Sequence, residues 1–134
     1  MEMELLTWLV KSQVMVSALE QIEGFTLFLL LHMGRVDGSL HPNERDTILE
    51  KMKELFPENS SYEQTLTVME LQYSQLKYGG AEAILKEGFR KFSQIDPLKR
   101  KEIYTALFDI INANGRVNEE ETQTLQIFKS WLLF

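Results

Sequence analysis

The apolar positions of this chain recur mostly at helical spacing. Leu5, Leu6, Leu9, Val10 and Val14 form one stripe. Ile48, Leu49, Met52, Leu55 and Phe56 form a second, Ile103, Leu107, Ile110 and Ile111 a third, and Leu125, Phe128 and Leu132 a fourth. Steps of three and four residues keep such side chains on one face of an α-helix. No segment shows a sustained alternation of apolar and polar residues bounded by hairpin signals, which a half-buried strand would need. One stretch departs from amphipathic patterning. Phe25-Thr26-Leu27-Phe28-Leu29-Leu30-Leu31 is apolar almost all round. It is far shorter than the roughly 20 residues that cross a bilayer, so it predicts a buried helix.

Proline and glycine mark where the helices begin and end. The three prolines stand at 42, 57 and 97, each at a predicted boundary. Gly24 reads as an interruption between residues 16 and 35. Asp37-Gly38 stops that segment, and His41-Pro42 opens the next, with Pro42 at the first helical position. Pro57-Glu58-Asn59-Ser60-Ser61 reads as a loop. Ser60 or Ser61 caps a helix running to about Tyr78, and Gly79-Gly80 breaks it. A helix near 81–93 follows. Asp96-Pro97 starts another, Asn114-Gly115 stops it, and Asn118 caps the last. The expected fold is all-α, a compact bundle of six or seven helices in a single domain over residues 1–134.

An internal repeat stands above this background. Asp37-Gly38-Ser39-Leu40-His41-Pro42-Asn43-Glu44 aligns with Asn114-Gly115-Arg116-Val117-Asn118-Glu119-Glu120-Glu121 at a constant offset of 77 residues. The match extends outwards: Leu30 meets Leu107, Met33 meets Ile110, Ile48 meets Leu125 and Leu55 meets Leu132. Such self-similarity predicts two related helix–turn–helix hairpins, over about 16–56 and 96–134, joined by connecting helices at about 60–93. A pseudo-twofold arrangement of the two is the simplest packing. Glycine reaches the left-handed conformation that ends a helix, which suits Gly38 and Gly115. His41 and Asn118 then fall at the N-cap. Glu44 and Glu121 fall at the third helical position, where a carboxylate reaches back to the cap's N–H in a capping box.

The same acids admit a second chemistry. Asp37 and Glu44 flank a tight turn, so their carboxylates can converge on one cation. Oxygen ligands suit Ca²⁺, Mg²⁺ or Mn²⁺, with Zn²⁺ as a further divalent cation to test. The candidate ligand set is Asp37, Glu44, Asn114 and Glu121, with His41 or Glu120 in support. The turn matches the back half of an EF-hand loop, but the front half fails. Met33 and Arg35 stand where its first two ligands belong, and Ile110 and Asn112 do so in the second copy. His41-Pro42-Asn43 resembles the His-Pro-Asp of J-domains, but Asn43 replaces the aspartate and the preceding helix is apolar rather than basic.

Composition narrows the function further. The chain has 134 residues, a net charge of −6 and no cysteine. Disulfides, thiolate zinc sites and cysteine nucleophiles are therefore excluded. The acidic balance argues against nucleic acid as a partner. Residues 1–60 carry ten acidic against five basic side chains, so a cation-attracting surface is expected toward that end. The acidic start Met1-Glu2-Met3-Glu4 is unlike a secretory leader, which favours the cytoplasm. Gly79-Gly80 lacks the strand and the Lys-Ser/Thr of a phosphate loop. No catalytic triad can be read, and His32 in its apolar helix reads as a core histidine. The chain reads as non-enzymatic.

The twofold pattern of helix, Asp-Gly-x-aliphatic-x-x-x-Glu, helix resembles the TerB-like family of tellurite-resistance proteins. That family shares its fold with the N-terminal domain of the membrane co-chaperone DjlA. The similarity covers roughly residues 16–134 and is greatest from Asp96-Pro97 to Leu132. It implies a bacterial, cytoplasmic stress-response domain whose acidic motif residues bind a divalent cation. On this sequence those positions are Asp37, Glu44 and Glu121, with Asn114 where the family usually has aspartate. The alternative is an interaction module, an adapter or a homodimer, whose acidic turns only build the fold. Trp8, Trp131, Phe134, Met1, Met3 and Met15 would then supply an apolar docking face.

Overall fold

The computed structural model describes residues 17–35, 40–58, 62–77, 79–113 and 119–132. Six helices run through them: α1 (Ile22–Arg35), α2 (Pro42–Leu55), α3 (Tyr62–Ser74), α4 (Gly80–Lys91), α5 (Pro97–Asn112) and α6 (Glu119–Leu132). A short helical segment at 17–19 precedes α1, and no strand occurs among the described residues. The fold is the all-helical bundle that the periodicity predicts.

Helix α1 is the axis of the molecule. Its residues from Gly24 to Gly34 are buried without interruption. Helices α2, α3, α4, α5 and α6 all pack against it. The apolar run at 25–31 therefore meets neighbours on every side. Polar groups inside it find partners, as Thr26 shows by donating its hydroxyl to the Ile22 carbonyl at 2.7 Å. On the α4 side, the Phe25 ring stacks on Phe92 at 5.4 Å and meets Phe89 edge-on at 5.7 Å.

The helix starts follow the residues that mark them. Pro42 and Pro97 both open helices at the first positions. The Asp96 carboxylate accepts the Leu98 N–H at 3.0 Å. Gly79 stands before α4 with φ +81°, the left-handed region that glycine reaches without steric cost. Helix α3 ends at Ser74, four residues before the predicted Tyr78, with Gln75 and Leu76 bonded to carbonyls three residues back in a closing turn. The cap positions Ser60, Ser61 and Asn118 lie outside the described residues.

Gly24 corrects the sequence reading. The break falls at Glu20–Gln21, and Gly24 lies inside α1. A Cβ there would sit 1.9 Å from the Ala18 carbonyl oxygen. The glycine admits the incoming chain against α1 rather than ending a helix.

The two hairpins, α1–α2 and α5–α6, bury matching positions: Leu30 with Leu107, Met33 with Ile110, and Ile48 with Leu125. Their packing is nonetheless not symmetric. Helix α2 lies along α5, whereas its counterpart contact, α6 on α1, involves far fewer residues. The connecting helices α3 and α4 also pack on α1.

Gly88 of α4 marks a second close approach to α1. A Cβ built there would come within 1.9 Å of the Phe25 ring. Gly88→Ala is expected to lower stability by roughly 1–3 kcal/mol through overpacking, read as a shift of the urea midpoint at constant slope.

Candidate functional site

The twin turns come first. Glu44 is the third residue of α2 and is fully buried. Its Oε1 accepts the His41 backbone N–H at 3.0 Å. This is the backward half of a capping box, and it places a carboxylate where the helix N-terminus favours negative charge. Glu121, the 77-residue counterpart, is buried at the same place in the first turn of α6. Asp37 and Asn114, the other two members of the predicted ligand set, lie outside the described residues. His41 and Glu120, the supporting candidates, are exposed. Among the described residues no group of three or more His, Asp and Glu side chains is placed to hold a metal ion.

A different site emerges on the α3/α4/α6 side of α1. His32 is 7% exposed. Its Nδ1 lies 2.7 Å from the Tyr73 hydroxyl of α3, a hydrogen-bond distance. The Arg35 guanidinium sits over the Tyr73 ring, 5.1 Å from its centre. Burial holds the His32 imidazole below its ordinary pKa of 6.5, with the Glu82 carboxylate opposing that shift. Burial pushes the Tyr73 hydroxyl up, and Glu82 adds to the effect. At neutral pH both groups are therefore uncharged. The histidine reads correctly as a core residue, but one edge of its ring borders a cleft.

That cleft measures about 350 Å³ and is lined by His32, Leu85, Phe89, Phe128 and Ile127, with Glu82, Lys86 and Thr124 around them. The Phe89 and Phe128 rings meet edge-to-face at 5.4 Å, and the His32 ring lies 6.0 Å from Phe128. Aromatic walls with a few polar groups are the usual make-up of a small-ligand site. Periodicity could not find it, because it forms where three helices distant in sequence converge.

The remaining polar contacts tie helices together. Lys51 of α2 reaches Asp109 of α5 at 2.9 Å and Glu54 at 3.3 Å. These acids hold the Lys51 ammonium above its ordinary pKa, the hydrogen bond to Asp109 being the larger cause. Lys99 donates to the Leu55 carbonyl at the end of α2, at 2.8 Å. Arg45 pairs with Glu70 at 3.4 Å and donates to the Thr67 hydroxyl. Lys99, in the first turn of α5, thus caps the far end of α2.

Comparison with protein-family models, curated proteins and solved structures yields no match. Among the described residues no helix is long and apolar enough to cross a membrane.

The buried imidazole makes stability pH-dependent. Its pKa is lower folded than unfolded, so the unfolded chain binds the proton more readily. Stability is therefore expected to fall as pH drops below about 6.5, before most carboxylates titrate. Urea melts at pH 7.5 and 5.5 on the unaltered protein and on His32→Gln check this. The variant is expected to lose most of the slope in that window.

Proposed function

We propose that the protein is a non-enzymatic interaction module whose acidic turns serve its fold. The observation that carries this reading is the Glu44 carboxylate, fully buried and accepting the His41 N–H. A carboxylate in that position stabilises the start of α2, and Glu121 is likewise buried at the third position of α6. The exterior supplies contact area. Leu98 and Phe108 of α5 and Ile127 of α6 are each more than half exposed. They offer contact points to a protein partner or to a second copy of the chain.

The repeated turn and the resemblance to TerB-like domains favour one competing reading, a divalent cation held by Asp37, Glu44, Asn114 and Glu121. Two substitutions separate the readings. Glu44→Ala removes the acceptor and is expected to cost about 1–2 kcal/mol, the range for a lost helix cap. Glu44→Gln keeps an oxygen that can serve the capping box and is expected to cost distinctly less. Calorimetric titration with Ca²⁺, Mg²⁺, Mn²⁺ or Zn²⁺ is expected to show no site whose binding depends on Glu44. A cation-dependent rise in melting temperature that Glu44→Gln abolishes would replace this reading with the cation one. Light scattering across a concentration series, with capture from extracts of the source cell, tests the partner. A strict monomer that retains nothing specific counts against an interaction module.

A further inference from the structure

We infer that the cleft between α1, α4 and α6 binds a small uncharged aromatic compound carrying one hydroxyl group, which pairs with His32 Nε2. The inference rests on residues other than those of the acidic turns and stands or falls separately from them.

Three observations carry it. The first is the state of the imidazole. His32 is more than nine-tenths buried and borders the cleft. Its Nδ1 is taken up by Tyr73, which is not among the cleft-lining residues. Nε2 is then the ring nitrogen left for a guest in the cleft that His32 borders. An imidazole nitrogen beside apolar walls gains more from a guest's hydrogen bond than one in open water does. A hydroxyl suits it in either tautomer, because it can donate to a bare Nε2 or accept from Nε2–H.

The second observation is shape and lining. Phe89, Phe128 and the His32 ring itself offer faces and edges to a guest ring. Leu85 and Ile127 complete an apolar wall. The volume of about 350 Å³ is roughly twice that of a cavity of about 150 Å³ that takes up benzene. One ring with a short substituent fits.

The third is charge. Glu82 and Lys86 stand one turn apart on α4 and both border the cleft. One carboxylate and one ammonium give the rim no net sign, so neither an anionic nor a cationic guest gains from long-range attraction. Ile127, 65% exposed, stands at the mouth, where a guest would cover it.

The test uses the full chain with 4-ethylphenol and its hydroxyl-free counterpart ethylbenzene, followed by NMR of the His32 ring nitrogens and of the α4 and α6 amides. The expected result is saturable binding of 4-ethylphenol with a shift at the His32 ring. Ethylbenzene is expected to bind about 5- to 10-fold more weakly, the usual worth of one hydrogen bond. Ile127→Trp, an exposed substitution that sets an indole at the mouth, is expected to weaken 4-ethylphenol at least 10-fold while leaving the circular dichroism unchanged. His32→Phe is expected to erase the preference for the hydroxyl. Should that variant fail to fold, Ile127→Trp and the ligand pair on the unaltered protein decide the matter. Absence of any shift at 5 mM 4-ethylphenol overturns the proposal. So does equal affinity for the two compounds, or an Ile127→Trp variant that binds as the unaltered chain does.

Discussion

A helix with no solvent-facing side is the constraint on which this structure depends. Once α1 is apolar all round, it can be stable in water only if several other helices cover it. Those helices then need short connections and one wet face each, and the rest of the sequence provides both. Burial also leaves little tolerance for shape. Gly24 and Gly88 stand where α1 is approached most closely, one by the incoming chain and one through the Phe25 ring. Packing at crystal-like density makes such contacts matter to a fraction of an ångström.

The fold was largely legible because its signals are local. Pro42, Asp96-Pro97 and Gly79-Gly80 mark helix boundaries through backbone chemistry that acts within a few residues. Gly24 misled because the same residue type serves two ends. It can break a helix, or it can lower a wall so that another segment comes close, and only the position of Ala18 distinguishes these. The unequal packing of the two hairpins was hidden for a related reason. A repeat in sequence specifies similar units, but not how closely each unit packs on the other.

The candidate sites divide along the same line. The role of Glu44 at the start of α2 follows from its spacing after His41-Pro42, and the hydrogen bond to the His41 amide fits it. A cation ligand and a cap residue look alike in sequence, since both are acids placed a few residues after a turn. Burial of Glu44 beside a backbone donor supports the second role. The His32 cleft left no trace in any motif. Its lining comes from α1, α4 and α6, and its polar member was legible only as a histidine in an apolar run. The long-range contact with Tyr73, 41 residues away, gives that histidine its orientation.

The ion pair between Lys51 and Asp109 gains a second meaning when the offset of 77 is applied to it. Asp109 is the counterpart of His32, and Lys51 is the counterpart of Phe128. The junction that one half of the molecule seals with opposite charges is, in the other half, faced with rings and left ajar. A molecule built from two similar halves can thus commit one copy of a joint to holding its shape and release the other to evolve.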